Sequence, residues 1–337
     1  MVTIYDIAAK ANVSAMTVSR VINNTGKISE KTRAKVKKVM EELHYVPNQN
    51  ARSLVLQQTR ILFLLITDIT NPFYTTVSRG AEDAAKRYGY RLLFGNSDES
   101  LEKEADYITT ILTTRVDGVL MAPAGDPSIP HLESLLKHQV PFVLLDREVP
   151  GIECDIVLGD SKEGSRRLVG HLIDQGHRQI AMVNGSSSIS SARHRLEGFK
   201  EAMKLNDLNY DSAYIHESSF GPLKDLSKMN NWLDQLNPFP TAILAGNNVL
   251  AYEIIRLLRY RGMRIPEDIS VIGFDDFGPY ADLDPFITVA AQQAYQFGYM
   301  GIQMLVERIQ QEDKSGPWKK IVLPAELIIR RSVRALD

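Results

Sequence analysis

From residue 61 onward, short apolar runs recur between segments of helical periodicity, and this alternation constrains the fold more than any other feature. Ile61-Leu62-Phe63-Leu64-Leu65-Ile66 has no polar member, as a strand covered on both faces requires. A helical pattern starts near Pro72, and Tyr90-Arg91-Leu92-Leu93-Phe94 returns to strand character. Further strand candidates are Gly118–Met121, Pro141–Leu145, Gln179–Val183, Thr241–Leu244 and Ile269–Gly273, with helix-like stretches between them. Strands alternating with helices predict parallel sheets built from βαβ units, and this part of the chain is long enough for two. Ligands of such folds sit at the carboxyl ends of the strands.

The first sixty residues follow a different rule. Ile4, Ile7, Ala8 and Ala11 share one helical face, which Asn12-Val13-Ser14 interrupts. Ser14 can cap a second helix with Val18, Val21 and Ile22 inside, and Asn23-Asn24-Thr25-Gly26 breaks it. Ser29 can cap a third, with Val36, Val39, Met40 and Leu43 inside, ended by Pro47. This segment is basic: through Arg60 it holds ten Lys and Arg against four Asp and Glu, within a chain whose net charge is −2. The remainder is therefore strongly acidic, an asymmetry expected when one end meets a polyanion. Helix, tight turn and second helix is the arrangement that inserts one helix into a DNA major groove. A plain three-helix bundle with a polar surface would show the same periodicity.

Other classes fit less well. Cys154 is the sole cysteine, so an intrachain disulfide is impossible and a reducing cytoplasm is expected. The opening Met1-Val2-Thr3-Ile4-Tyr5-Asp6 has neither the basic nor the apolar region of a secretory signal, which argues against an exported sugar-binding protein. No run of about 18 uncharged apolar residues predicts a membrane span. Enzymatic strings such as G-x-G-x-x-G, a P-loop, G-x-S-x-G or H-E-x-x-H are missing, and in Gly159-Asp160-Ser161-Lys162-Glu163-Gly164 the second glycine falls one place late. The histidines show no metal-ligand spacing, and no enzyme activity, cofactor or metal is expected.

The string Thr3-Ile4-Tyr5-Asp6-Ile7-Ala8-Ala9-Lys10-Ala11-Asn12-Val13-Ser14-Ala15-Met16-Thr17-Val18-Ser19-Arg20-Val21-Ile22-Asn23 closely resembles the opening of the lactose-repressor/galactose-repressor family. Tyr45-Val46-Pro47-Asn48, followed by Ala51-Arg52-Ser53-Leu54, is similar to that family's hinge. The resemblance continues in order through Asp68-Ile69-Thr70-Asn71-Pro72-Phe73-Tyr74, Gly176-His177-Arg178, Arg195-Leu196-Glu197-Gly198-Phe199, Ile272-Gly273-Phe274-Asp275-Asp276 and Ile329-Arg330-Arg331-Ser332.

The resemblance implies an all-α helix-turn-helix head plus an α/β body. The head would span 1–46, a hinge 47–58 and an effector-binding and dimerisation domain 59–337. The body would consist of two Rossmann-like subdomains of the periplasmic-binding-protein type I fold. The first would take about 59–160 and 290–320, the second about 161–289 and 321–333. The implied function is a cytoplasmic transcription regulator, a repressor in the usual case, that binds a palindromic operator as a homodimer. No membrane association is implied. A sugar or sugar derivative in the cleft would control it allosterically, with a nucleobase or a phosphoprotein partner as the alternative.

Carried over position by position, Ala15, Met16 and Arg20 would face base edges, while Tyr5, Thr17, Ser19 and Asn23 hold phosphates. Asn48, Ala51 and Leu54 of the hinge would also meet DNA, Leu54 as a minor-groove wedge. Ala15-Met16 is apolar where lactose-binding members present polar groups. Asp68, Phe73 and Tyr74 would line one wall of the effector cleft, and Ser191, Arg195, Phe220, Asn247 and Asp275 the other. Asp146, Arg147 and Gln293 would stand near the crossovers. Two residues depart from the pattern. Ile189 replaces the arginine of purine-binding members, and Asn248 stands where an aspartate is common.

Arg20→Ala is expected to weaken operator binding by about 1–3 kcal/mol and blur one base position in a footprint. Leu54→Ala is expected to reduce DNA bending, read from the mobility of circularly permuted probes.

Overall fold

The computed structural model describes residues 2–23, 25–45, 58–223, 225–278, 285–313 and 315–336. The chain forms two compact units, Met1–Thr59 and Arg60–Asp337. The hinge residues Asn48, Ala51 and Leu54 lie outside the described residues.

The first unit is a three-helix head. Helix α1 (Ile4–Ala11) starts with a reciprocal cap: the Thr3 hydroxyl accepts from the Asp6 N–H, and the Asp6 carboxylate accepts from the Thr3 N–H at 2.8 Å. Asn12, left-handed at φ 49°, ends it. Ser14 caps α2 (Ala15–Asn23) by accepting from the Thr17 N–H at 3.1 Å, and Ser29 caps α3 (Glu30–Glu42) through the Thr32 N–H. Ile7, Ala8, Ala11, Val18, Val21, Val36 and Val39 form the buried core, the inner faces expected from spacing.

The second unit contains two six-stranded sheets. In the first, β1 (Ile61–Ile66) lies between β2 (Arg91–Asn96) and β3 (Gly118–Met121), followed outward by β4 (Phe142–Leu145), β5 (Asp155–Gly159) and β11 (Lys320–Leu323), all parallel. The second sheet repeats the order. There β6 (Ile180–Asn184) lies between β7 (Ile215–Glu217) and β8 (Ala242–Ala245), then come β9 (Ser270–Phe274), β10 (Thr288–Ala291) and an antiparallel edge, β12 (Glu326–Ile328). Both sheets therefore have a topological switch point beside their first strand. Central strands are buried along their length, which explains why they read as unbroken apolar runs.

The strand memberships move two sequence boundaries. Residues 290–291 belong to β10 of the second sheet, and 321–323 belong to β11 of the first. The chain crosses between sheets after β5, after β10 and between Leu323 and Glu326. None of the helices among the described residues is long and apolar enough to cross a membrane.

Close helix packing fixes the first subdomain. Helices α4 (Pro72–Arg87) and α11 (Ala294–Gln310) meet at Gly80 and Gly298. A Cβ on Gly298 would stand 1.9 Å from the Val77 carbonyl oxygen, and one on Gly80 would stand 2.0 Å from that of Tyr295. The obstacle is backbone on both sides, so neither helix can yield without moving as a whole. In contrast, Gly170 in α7 (Ser161–Asp174) has nothing within 4 Å of a built Cβ.

Gly298→Ala is expected to destabilise the protein by about 1–3 kcal/mol, visible as a lower thermal midpoint. Gly170→Ala should raise stability by about 0.4–1 kcal/mol in the same experiment, because it only removes backbone freedom.

Candidate functional site

The head presents one side of α2 to solvent. Met16 is 65% exposed, Tyr5 on α1 is 71% exposed, and Arg20 is also exposed. Ala15, Thr17, Ser19 and Asn23 are half-buried around them. Thr17 shares a 2.9 Å hydroxyl contact with Ser14, and Asn23 donates to the Ser19 hydroxyl at 3.3 Å. The aliphatic stem of Arg20 runs beside Gly26, where a Cβ would meet it at 3.4 Å. Lys27, Lys31, Lys35, Lys37 and Lys38 are exposed too, so the head carries a solvated cationic surface suited to phosphates.

In the body, residues from the ends of both sheets surround a cleft of about 750 Å³. Nine of the residues expected from sequence line it: Asp68, Phe73, Tyr74, Asp146, Arg147, Arg195, Phe220, Asn247 and Asp275. Strand geometry explains the convergence. Asp68 follows β1, Asp146 follows β4 and Asp275 follows β9, each at a carboxyl end. Asp146 and Asp275 occupy equivalent places in the two sheets. Both adopt left-handed backbone, at φ 61° and 62°, and their N–H groups donate to Val157 of β5 and Ala290 of β10.

Two buried guanidiniums organise the walls. Arg195, from α8 (Ser190–Leu205), donates to the Gly246 carbonyl at 2.5 Å, lies 4.3 Å from the Phe274 ring centre and stands 4.0 Å from the Asp275 carboxylate. Arg147 donates to the carbonyls of Pro123 and Ala124 at 3.2 Å and to the Glu99 carboxylate at 2.5 Å. Phe220 lies under both cations, 5.9 Å from Arg147 and 5.5 Å from Arg195. Burial pushes the Asp275 carboxyl up to about 6, although Arg195 and a hydrogen bond from Gln292 oppose the shift. Burial also raises the Tyr74 phenol well above its ordinary value, so it stays neutral.

Not every expected residue presents a free polar group. Asn247 lines the cleft, but its oxygen caps α10 (Asn248–Tyr260) by accepting from the Leu250 N–H, and its nitrogen donates to the Phe220 carbonyl. Phe73 is buried in edge contacts with Tyr74 and Phe297. Ser191 is buried in the first turn of α8, outside the cleft lining. Gln293 is a correction: it is exposed at the start of α11 and donates to the Pro324 carbonyl. Its neighbour Gln292 turns inward instead and donates to Asp275 at 2.9 Å. One step along an extended segment reverses the side chain's direction, so an assignment one residue late misses the site.

Sequence reading overlooked Asn71, Asp98, Glu99 and the neighbours of Phe220, namely Ser219, Gly221, Pro222 and Leu223, all of which line the cleft. The topology supplies the missing signal. The loop after β2 leaves the carboxyl end of a parallel strand, so Asp98 and Glu99 project from the ligand end of the sheet. Several polar contacts among the described residues bridge the two subdomains, including His194 with Glu148 at 3.4 Å. Asn248 donates to Asn71 at 3.0 Å, and Arg193 holds Asp126 in a two-pronged pair at 2.8 and 3.1 Å. The Asp126 N–H donates to the Ser188 carbonyl, and the Glu148 N–H to the Ser190 hydroxyl.

Comparison with known proteins agrees with both halves. Residues 3–48 match the family described as "Bacterial regulatory proteins, lacI family", and residues 169–333 match "Periplasmic binding protein-like domain". The transcriptional regulator DegA of Bacillus subtilis (strain 168) is 35% identical over 342 residues, covering 99% of each chain. The transcriptional repressor PurR of Vibrio vulnificus is 35% identical with 100% coverage of both. The lac repressor dimer, solved bound to operator and the anti-inducer ONPF, superposes with a TM-score of 0.82 at 27% identity over 99% of each chain. This chain belongs to the lacI family of bacterial regulatory proteins, with a DNA-binding helix-turn-helix head and a periplasmic-binding-protein-like body.

Proposed function

We propose that the chain is a cytoplasmic repressor that binds a palindromic operator as a homodimer and responds to a sugar-like ligand in its cleft. The observation that carries this reading is the convergence of nine expected residues on one cavity between two sheets. Its volume of about 750 Å³ falls within the range of small-molecule sites, about 300–1,000 Å³. Aromatic faces from Phe73 and Phe220 beside carboxylate acceptors suit a polyhydroxylated ring, whose C–H faces are apolar and whose rim donates hydrogen bonds. Ile189, at the purine-arginine position, is buried in the apolar core of the second subdomain and adds no donor for a nucleobase.

The head reads DNA on this proposal. Arg20 supplies a forked donor for guanine, while Met16 and Ala15 supply apolar contact for thymine methyls. The cleft binds its ligand without turnover. Ligand binding acts by favouring one arrangement of the two subdomains, and operator affinity follows that arrangement.

The main test combines operator selection with ligand screening on the full chain. A selected palindrome, and a ligand that changes its retention in a gel shift, are expected. Arg195→Ala and Asp275→Ala should each lose the ligand response by tenfold or more in ligand concentration, about 1.4 kcal/mol. Recovery of no preferred sequence at low salt would overturn the DNA reading.

A pH dependence follows from Asp275. Its protonated form is the one favoured by the folded body, so its contribution to stability is present below 3.8 and lost as pH rises through about 6. Ligand hydroxyls donate to the ionised form. Ligand affinity is therefore expected to fall as pH drops below about 6, measured by calorimetry from pH 5 to 8, and Asp275→Asn should flatten that profile.

A further inference from the structure

Rejection of anionic ligands can be read from how the cleft engages its two cations, on the footing that the cleft is the ligand site. Five carboxylates line it, from Asp68, Asp98, Glu99, Asp146 and Asp275, against the two guanidiniums of Arg147 and Arg195. A two-pronged grip on a phosphate or carboxylate takes a guanidinium with two parallel N–H groups facing the ligand. Arg147 is occupied at both outer nitrogens, and Arg195 is partly occupied. Both outer nitrogens of Arg147 are engaged, one by the Pro123 and Ala124 carbonyls and the other by Glu99, and its Nε lies 3.8 Å from Asp146. Arg195 donates to Gly246 through one outer nitrogen, its other outer nitrogen stands 4.0 Å from the Asp275 carboxylate, and its buried Nε has no hydrogen-bond partner.

Buried wall atoms without a protein partner include the acceptors Asp68 Oδ2 and Asp146 Oδ1 and the donors Arg147 Nε and Arg195 Nε. Together they call for groups that both donate and accept, as hydroxyls do. An ionised phosphate would bring further acceptors and negative charge to the same place.

Glu99 is held deliberately against Arg147. It sits on the turn after β2, where Asp98 and Glu99 are both left-handed, at φ 51° and 55°. Neither is glycine, so this turn costs conformational energy that surrounding contacts must offset. Asn96 donates to Asp98 at 2.5 Å, Lys103 forms an ion pair with Asp98, and the Ser97 N–H donates to the Ile66 carbonyl at 2.9 Å. The turn thereby delivers the Glu99 carboxylate to a cation that is 3% exposed.

We propose that Glu99 is a specificity-determining residue: by occupying Arg147, it makes the cleft select uncharged or cationic polyhydroxylated ligands and reject phosphorylated or carboxylated ones. A purely structural Glu99 would balance a buried charge and nothing more. Its removal would then lower stability without creating affinity for anions.

The test uses the full-length chain and inorganic phosphate and glucose 6-phosphate as probes, read by thermal shift and calorimetry. Wild-type protein is expected to show no saturable shift with millimolar amounts of either. Glu99→Gln, and equally Glu99→Ala, should bind phosphate on the order of tenfold or more tighter than wild type. Adding Arg147→Gln to either variant should abolish the gain. Saturable protection of the wild type by either anion overturns the proposal, as does a folded neutral variant with no gain, or a gain that survives loss of Arg147. If neither neutral variant folds, the wild-type response alone decides. These outcomes are separable from failure of the ligand-site reading, which would show as Arg195→Ala and Asp275→Ala retaining a normal ligand response.

Discussion

A guanidinium cannot shed its proton inside a protein, and the body of this chain buries two of them at the meeting of its sheets. That constraint dictates much of the surrounding chemistry. A buried cation left unpaired costs several kcal/mol, so carboxylates and carbonyls must converge on it. Arg147 draws in Glu99, Asp146 and two carbonyls, while Arg195 draws in the Gly246 carbonyl and Asp275. Phe220 and Phe274 complete the shells as flat, electron-rich faces. The left-handed backbone at Asp146, Asp275 and Glu99 belongs to the same account, because each sits on a tight strand-end turn that brings a carboxylate toward these cations.

The parallel sheets supply the positions that this chemistry occupies. All strands of the first sheet run the same way, so all their carboxyl ends open on one edge, and the second sheet repeats the plan apart from its antiparallel edge β12. Asp68, Asp146 and Asp275 reach the cleft through this common rule rather than through proximity in sequence. The equivalence of Asp146 and Asp275 extends to their backbone bonds, which tie each turn to the neighbouring strand. Such anchoring leaves the carboxylates little freedom, which lowers the entropy lost when a ligand binds.

What the sequence reveals follows from how local each signal is. β1 and β3 are legible residue by residue because burial on both faces leaves no polar interruption. The caps at Ser14 and Ser29 are equally local, since they depend on a hydroxyl three residues before an N–H. β5 contains Asp155, whose carboxylate holds Arg308 at 2.8 and 2.9 Å, so its polar start hides a central position. β11 and β12 are half-exposed edge strands with weak patterns, and this displaced the boundary near residue 320. At the site, Asp275 and Arg195 could be carried from the family string, but Gln292 and Gln293 differ only in direction, which a string does not contain. Glu99 was invisible because its role comes from pairing with a residue 48 positions away.

The bridges between subdomains set the scale of regulation. Hydrogen bonds of this kind contribute roughly 0.5–1.5 kcal/mol each, and the Asp126–Arg193 pair is about one-third exposed, which weakens it further. A handful of such contacts is enough to bias this arrangement of the subdomains without locking it. Moving a two-state equilibrium from 1:99 to 99:1 requires about 5.5 kcal/mol of differential binding. A ligand that satisfies Asp68 and Asp146 while touching both walls can supply energy of that order only when the walls are together. Asn248 matters here for its neutrality. It is buried against Asn71 and the Asp276 carbonyl, where an aspartate would place a carboxylate against two acceptor oxygens. An amide closes that seam as a donor, so this chain joins its subdomains at a point where a charged residue would push them apart.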